Sequence, residues 1–310
     1  MLLPDETTGA LRDRDELWDA APGLVGLRGP ALRLFRRLDA RIAALAAGET
    51  PDEWRVPPAI ALSTLARAGY FASFPQWLTV ASHLSADEEV LARVAAADDP
   101  AAAATAALAP AGAALAPAVC YHTYAALAGR TLRAPRLMTA QATCWRHEGD
   151  RLAPLERNWA FTMREIVCIG DATTCEAFRQ RGIRQALALA RALELDADVD
   201  VAADPFFAPT ARGRALLQRI KALKHELLLP IGGGRRTAAA SFNNHETFFG
   251  EAFDIRLADG TPASSACVAF GLERWLLAVL AARGPSGLAL TQPHESVAFT
   301  EHLIPDLRSP

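Results

Sequence analysis

Residues 137–169, LMTAQATCWRHEGDRLAPLERNWAFTMREIVCI, decide the fold class. Two apolar runs, 137–147 and 159–169, flank the polar loop EGDRLAPLERN, which predicts an antiparallel strand pair. Further strand-like runs occur at 198–203, 224–231 and 237–243. A helix is expected over 27–48, where Leu32, Phe35, Leu38, Ile42 and Leu45 recur at three- and four-residue steps before Gly48. A second is expected from about Thr174 to Leu195, with Thr173 and Glu176 as a capping box. A third, over 271–283, shows Leu272, Trp275, Leu276 and Val279 on one side and closes at Gly284. Hairpin-clustered strands with helices outside them predict an α+β fold on an antiparallel sheet.

Composition narrows the class further. The chain of 310 residues is 51% hydrophobic and 22% charged, which suits a soluble globular protein with a sizeable core. No apolar run is long enough to span a bilayer, so no membrane partner is expected. The start, MLLPDETTGALRDRDE, lacks the basic and apolar stretches of a signal peptide, and cytoplasmic residence is expected. Five irregularly spaced cysteines predict free thiols or metal ligands, and packing roles suit Cys144, Cys168 and Cys175. A net charge of −3 gives no footprint for nonspecific nucleic-acid binding. The stretch 96–117 is rich in alanine and proline and reads as a surface insertion.

Three segments carry chemistry. Arg146 and Glu148 stand two apart and project to one face of a strand, while Phe161 and Glu165 stay in step on the returning one. Ala269-Phe270-Gly271-Leu272-Glu273-Arg274-Trp275 reads as a strand that turns through glycine into a helix, whose first amides favour phosphate. Cys120, Glu165 and Cys267 offer two thiolates and a carboxylate, a zinc set with the fourth position left for water or substrate. Burial alone would explain either cysteine singly. His122 and His245 lie nearby, and hydrogen-bonded structural roles suit both.

The Arg-x-Glu hairpin followed by Gly-x-Glu-Arg resembles the second and third signatures of class II aminoacyl-tRNA synthetases. The resemblance implies that Arg146 holds the α-phosphate and carboxylate, Glu148 contacts the adenine amino group and Phe161 stacks on adenine. It also implies that Arg157 and Arg274 contact ATP phosphates. The trio Cys120, Glu165 and Cys267 is similar to the zinc ligands of methanogen-type seryl enzymes, where the metal anchors the substrate amino group.

The segments AVCYHTY, TCWRHE, FTMREIVCIG, SFNNHETFFGEAFDI and SACVAFGLERW narrow the resemblance to amino acid:[carrier protein] ligases, truncated relatives of those seryl enzymes. That family implies activation of a small amino acid, glycine or alanine, as an adenylate. Transfer to the phosphopantetheine thiol of a carrier protein follows. It also implies Zn2+, Mg2+ with ATP, and a homodimer with the 27–48 helix near its interface; tRNA is not an expected partner.

The expected organisation is an extension (1–26), a class II synthetase-like catalytic domain (27–284) and a tail (285–310). Lys224 and Ser241 are further expected nucleotide contacts. One departure stands out: where many class II enzymes carry a magnesium-binding glutamate three residues before this serine, the chain has Ala238. Two alternatives stand beside this reading: a seryl-type tRNA synthetase, for which little chain remains to hold tRNA, and a synthetase-like subunit without catalysis, which the retained ligands and arginines oppose. The basic stretch from Arg212 and Arg214 to Lys224 is a candidate docking face for an acidic carrier.

Overall fold

The computed structural model describes residues 1–149, 151–207, 216 and 218–284. Arg212, Arg214 and the tail from 285 lie outside the described residues.

The long hairpin forms as its sequence suggests, from Arg136–Trp145 (β2) and Ala160–Gly170 (β3). Five more strands join it: Asp52–Trp54 (β1), Asp198–Val201 (β4), Lys224–Gly232 (β5), Arg235–Glu246 (β6) and Ser264–Gly271 (β7). They lie in the order β4-β5-β6-β7-β3-β2-β1, antiparallel throughout except for the β2–β1 edge pair. Register assigns the two faces. Glu165 pairs with Ala269, Met163 with Gly271, Asn243 with Cys267, and Ser241 with both Ala269 and Glu226. Directly opposed residues share a face, so Glu165, Cys267, Ser241 and Glu226 all project to one side.

The other side is apolar and covered. Ile166, Cys168, Leu229, Phe242, Val268 and Phe270 pack against helices Gly29–Ala44 (α2), Ala172–Ala192 (α4) and Leu272–Arg283 (α6) in one continuous core. Gly182 lets α4 lie flush on the sheet: a Cβ there would meet Val268 Cγ2 at 2.6 Å. Residues 1–26, expected as an extension, contain helix Pro4–Asp13 (α1) and the hairpin 17–27, and bury Leu11 and Leu17 in that same core.

Two local expectations need correction. The cap of α4 is Asp171, whose side chain accepts from Thr174 N at 2.9 Å, rather than Thr173. Thr173 already lies within the first turn, and Glu176 binds Arg179, Gln180 and Asn244 instead of reaching back. Within 96–117, residues 100–106 form an exposed helix, but 113–115 form the central strand of a three-stranded sheet with 59–61 and 80–81. Ala114 and Ala116 are buried there. Helices Cys120–Ala126 (α3) and Phe248–Phe253 (α5) pack on the open face of the main sheet, and the small sheet joins them through Tyr121.

Candidate active site

A cleft of about 710 Å³, partly open to solvent, runs over the open face between β5, β6, β7 and the β2–β3 hairpin. All seven residues expected around the nucleotide line it: Arg146, Glu148, Arg157, Phe161, Lys224, Ser241 and Arg274. A register shift in β6 near Ala239 breaks the ladder opposite Leu227 and Leu228 and turns backbone carbonyls toward α6. Ala238 O accepts from Arg274 at 2.7 Å, and Ala239 O from Trp275 Nε1 at 3.0 Å. Gly271 caps α6, which places Arg274 in the first turn beside the cleft.

The two central guanidinium groups are held without carboxylate partners. Arg146 donates to Pro117 O at 3.0 Å and lies 5.5 Å from the Phe161 ring and 5.7 Å from that of Trp77. Arg274 donates to Glu156 O and Ala238 O, both at 2.7 Å. Neither forms an ion pair among the described residues. Burial pulls the Arg274 pKa below the ordinary arginine value; Arg157 and Arg146 add to this, while Glu148 opposes it. Two half-buried cations facing one cleft favour an anion that completes them.

Other expected contacts are already engaged. Arg157 is ion-paired with Glu148. Lys224 is flanked by Asp204 at 2.6 Å and Glu226 at 3.0 Å, so its charge is matched within the protein. Glu273 is buried and accepts Thr162 N with both oxygens at 2.9 Å, locking α6 to β3; burial pushes its carboxyl up to about 7.

Two residues beyond Met163 on β3 and two before Ala269 on β7, past the lining of the cleft, Glu165 and Cys267 meet Cys120 on the same sheet face. Their ligand atoms lie within 4.8 Å of one another, and all three residues are buried. Tetrahedral zinc geometry asks for donor separations of about 3.5–3.8 Å, so small side-chain adjustments close the set. Glu165 accepts Val119 N at 2.9 Å and Cys120 N at 3.2 Å, which ties α3 to β3. Burial, then the Cys267 sulfur, pushes the Glu165 carboxyl up to about 8. Each thiol acts on the other: the neighbouring Cys120 holds Cys267 well below the usual thiol range, while Cys267 and burial push Cys120 well above it. Asn243 Nδ2 also points to Cys267 Sγ at 3.5 Å. Three acid-capable donors packed together suit a soft divalent cation better than they suit one another. His245 is placed behind them, bonded to Tyr124 Oη at 3.2 Å and Ser265 Oγ at 3.1 Å.

Asp204, Glu226, Asn243 and Trp77 were missed in the sequence. Glu226 and Asn243 carry a readable signal, since each stands two residues from an expected contact on the same strand. Asp204 and Trp77 come from loops and carry none.

An antiparallel sheet backed by helices, with an Arg-x-Glu hairpin and a glycine-capped helix around one cleft, defines a class II aminoacyl-tRNA synthetase-type catalytic domain. Comparison with solved structures agrees: M. kandleri SerRS, determined with A. aeolicus tRNASec, matches with a TM-score of 0.82 at 21% identity. That match covers 94% of this chain and 60% of the other. No protein-family model matches the sequence. Amino acid–[acyl-carrier-protein] ligase 2 of Bradyrhizobium diazoefficiens is 35% identical, covering 96% of this chain and 95% of the relative. Ligase 1 of the same organism is 34% identical, covering 91% and 88%. The chain belongs to the amino acid–[acyl-carrier-protein] ligase family.

Proposed function

We propose that this protein activates a small amino acid, glycine or alanine, with ATP and transfers it to the phosphopantetheine thiol of a carrier protein. One observation carries the reading. Arg146 and Arg274, half-buried and without an ion pair among the described residues, line one cleft, and a buried Cys/Glu/Cys cluster lies just past it on the same sheet face. The first pair suits phosphate, the second a metal-anchored amine.

In this reading Phe161 stacks the adenine, with the Arg146 guanidinium beside its ring. Glu148 accepts from the adenine amino group, and Arg157, released from Glu148, turns to the phosphates. Arg146 spans the α-phosphate and the substrate carboxylate, and Arg274 neutralises the departing pyrophosphate. A carboxylate oxygen attacks the α-phosphorus, the bond to pyrophosphate breaks, and the aminoacyl-adenylate forms. The guanidinium groups are held by backbone carbonyls, so they stabilise the developing charge without moving. The carrier thiol then attacks the acyl carbon, a C–S bond forms, AMP leaves and the thiol proton passes to solvent.

Cys120, Glu165 and Cys267 would hold zinc, which supplies an open coordination position for the substrate amine and fixes its carboxylate toward ATP. Magnesium with ATP would neutralise the phosphates. Ala238 gives it no donor, whereas Glu226, opposite Ser241 and in the cleft, does. Lys224 serves this reading as the partner that holds Glu226 and Asp204. A reducing cytoplasmic setting, which five free thiols suit, and a homodimer with α2 near the interface complete the proposal. Among the described residues no helix is long and apolar enough to cross a membrane.

The test is an ATP–pyrophosphate exchange screen over the amino acids, followed by mass spectrometry of candidate carriers and tRNA. Exchange with glycine or alanine and a carrier thioester are expected. Label on tRNA, or no exchange with any amino acid, overturns the reading.

A further inference from the structure

Tyr70 is a residue that neither the sequence motifs nor the mechanism above uses. It is 3% exposed, and its hydroxyl is buried with no hydrogen-bond partner. A buried hydroxyl left unpaired is costly, and such groups mark places where a ligand or water completes the site.

Its surroundings say which ligand. The Tyr70 ring is held edge-on to Phe74 at 5.6 Å and to Tyr121 at 5.8 Å. Phe74 stacks on Trp77, whose ring lies beside Arg146. Tyr121 follows Cys120 directly and packs edge-on to Phe249 on the other side. Tyr70 therefore stands in an aromatic cluster that joins the carboxylate-binding arginine to the metal-site cysteine. Burial pushes the Tyr70 phenol up to about 12, so it stays protonated and can donate.

We propose that the Tyr70 hydroxyl donates a hydrogen bond to the oxygen of the substrate carboxylate that does not attack ATP. This rests on the ligase reading and adds a residue to it. That oxygen becomes the acyl carbonyl oxygen of the adenylate. When the carrier thiol attacks, the C–S bond forms and the carbonyl electron pair moves onto this oxygen. The pair returns as AMP leaves and the thiol proton goes to solvent. A donor aimed there contributes most in the second step, where the oxygen gains charge.

The experiment compares wild type with Tyr70→Phe and Tyr121→Phe, using whichever amino acid the wild type activates. For Tyr70→Phe, kcat/KM for the amino acid in pyrophosphate exchange should fall about tenfold. Single-turnover transfer to the carrier should fall about 100-fold. The KM for ATP and the melting temperature should stay at wild-type values, and Tyr121→Phe should keep both rates. Unchanged rates in Tyr70→Phe would overturn the proposal. So would an equal loss in ATP binding, which would make the hydroxyl structural. A wild type silent with every amino acid would instead defeat the ligase reading beneath it.

Discussion

Arg274 offers the sharpest single-residue test, because its structural contacts and its proposed role in ATP binding separate. It donates 2.7 Å bonds to Glu156 O and Ala238 O, yet among the described residues it has no carboxylate partner. Arg274→Lys keeps the charge and loses the fork that reaches two carbonyls and a phosphate together. Losing one of these bonds costs about 1 kcal/mol. Relief of a half-buried guanidinium without an ion pair among the described residues offsets part of that. Net stability should therefore shift by less than about 1 kcal/mol, a few degrees in melting temperature for a chain of this size.

The ATP terms do not cancel. Removing a preorganised donor to developing charge costs about 2.7–4 kcal/mol, a loss of about 100- to 1,000-fold in exchange rate. Thermal protection by ATP should shrink as well. A ligand at 100 times its Kd adds about 2.7 kcal/mol, and a tenfold weaker complex loses about half of that. The assay is pyrophosphate exchange beside calorimetry with and without ATP. If Arg274→Lys melts far below wild type yet keeps its exchange rate and ATP protection, the guanidinium is structural and the phosphate assignment is wrong.

Other outcomes follow from neighbouring residues. Phe161→Leu removes the ring beside Arg146 and should raise the KM for ATP about tenfold, with the amino-acid KM little changed, read in the same exchange assay. Glu273 has a folded-state pKa of about 7, raised by burial above an unfolded value near 4.5. Its stabilising contribution is therefore complete below about pH 4.5 and is lost as pH rises through about 7, amounting to about 3 kcal/mol. Glu273→Gln should flatten that part of the stability–pH curve measured by denaturant titration; an unchanged slope would rule the assignment out. Glu226→Gln should raise the magnesium concentration needed for half-maximal exchange several-fold, and an unmoved requirement would remove Glu226 from the metal's surroundings.

Much of this was legible in the chain because the hairpin at 137–169 is long, alternates cleanly and ends in charged residues at fixed steps. Phe161, Glu165, Lys224, Ser241 and Cys267 share a face as their spacing on strands suggests, since a period of two fixes the face once register is known. Arg146 and Glu148 follow the end of β2, Arg157 lies in the loop, and Cys120 and Arg274 stand in the first turns of helices. What escaped was set by tertiary neighbours. Lys224 lines the cleft, and its partner Asp204 comes from a loop 20 residues away that no strand pattern marks. Arg164, adjacent to Glu165, points the other way and is buried against Asp39 of α2 with a bond of 2.9 Å. Alanine-rich 113–116 looked like surface, but small side chains also suit a strand pressed between two others. Tyr70 stands in the aromatic-rich stretch 69–75, whose sequence suits either core packing or a pocket lining, but its unpaired hydroxyl is visible only once its surroundings are.

The proposal depends most on a metal held by Cys120, Glu165 and Cys267. The direct measurement is elemental analysis of untagged protein beside a Cys267→Ala variant, with amino-acid KM recorded for both. One zinc per chain in the wild type, its loss in the variant and a collapse of amino-acid binding with ATP protection retained are expected. Wild-type protein without stoichiometric zinc that still activates an amino acid would contradict the account.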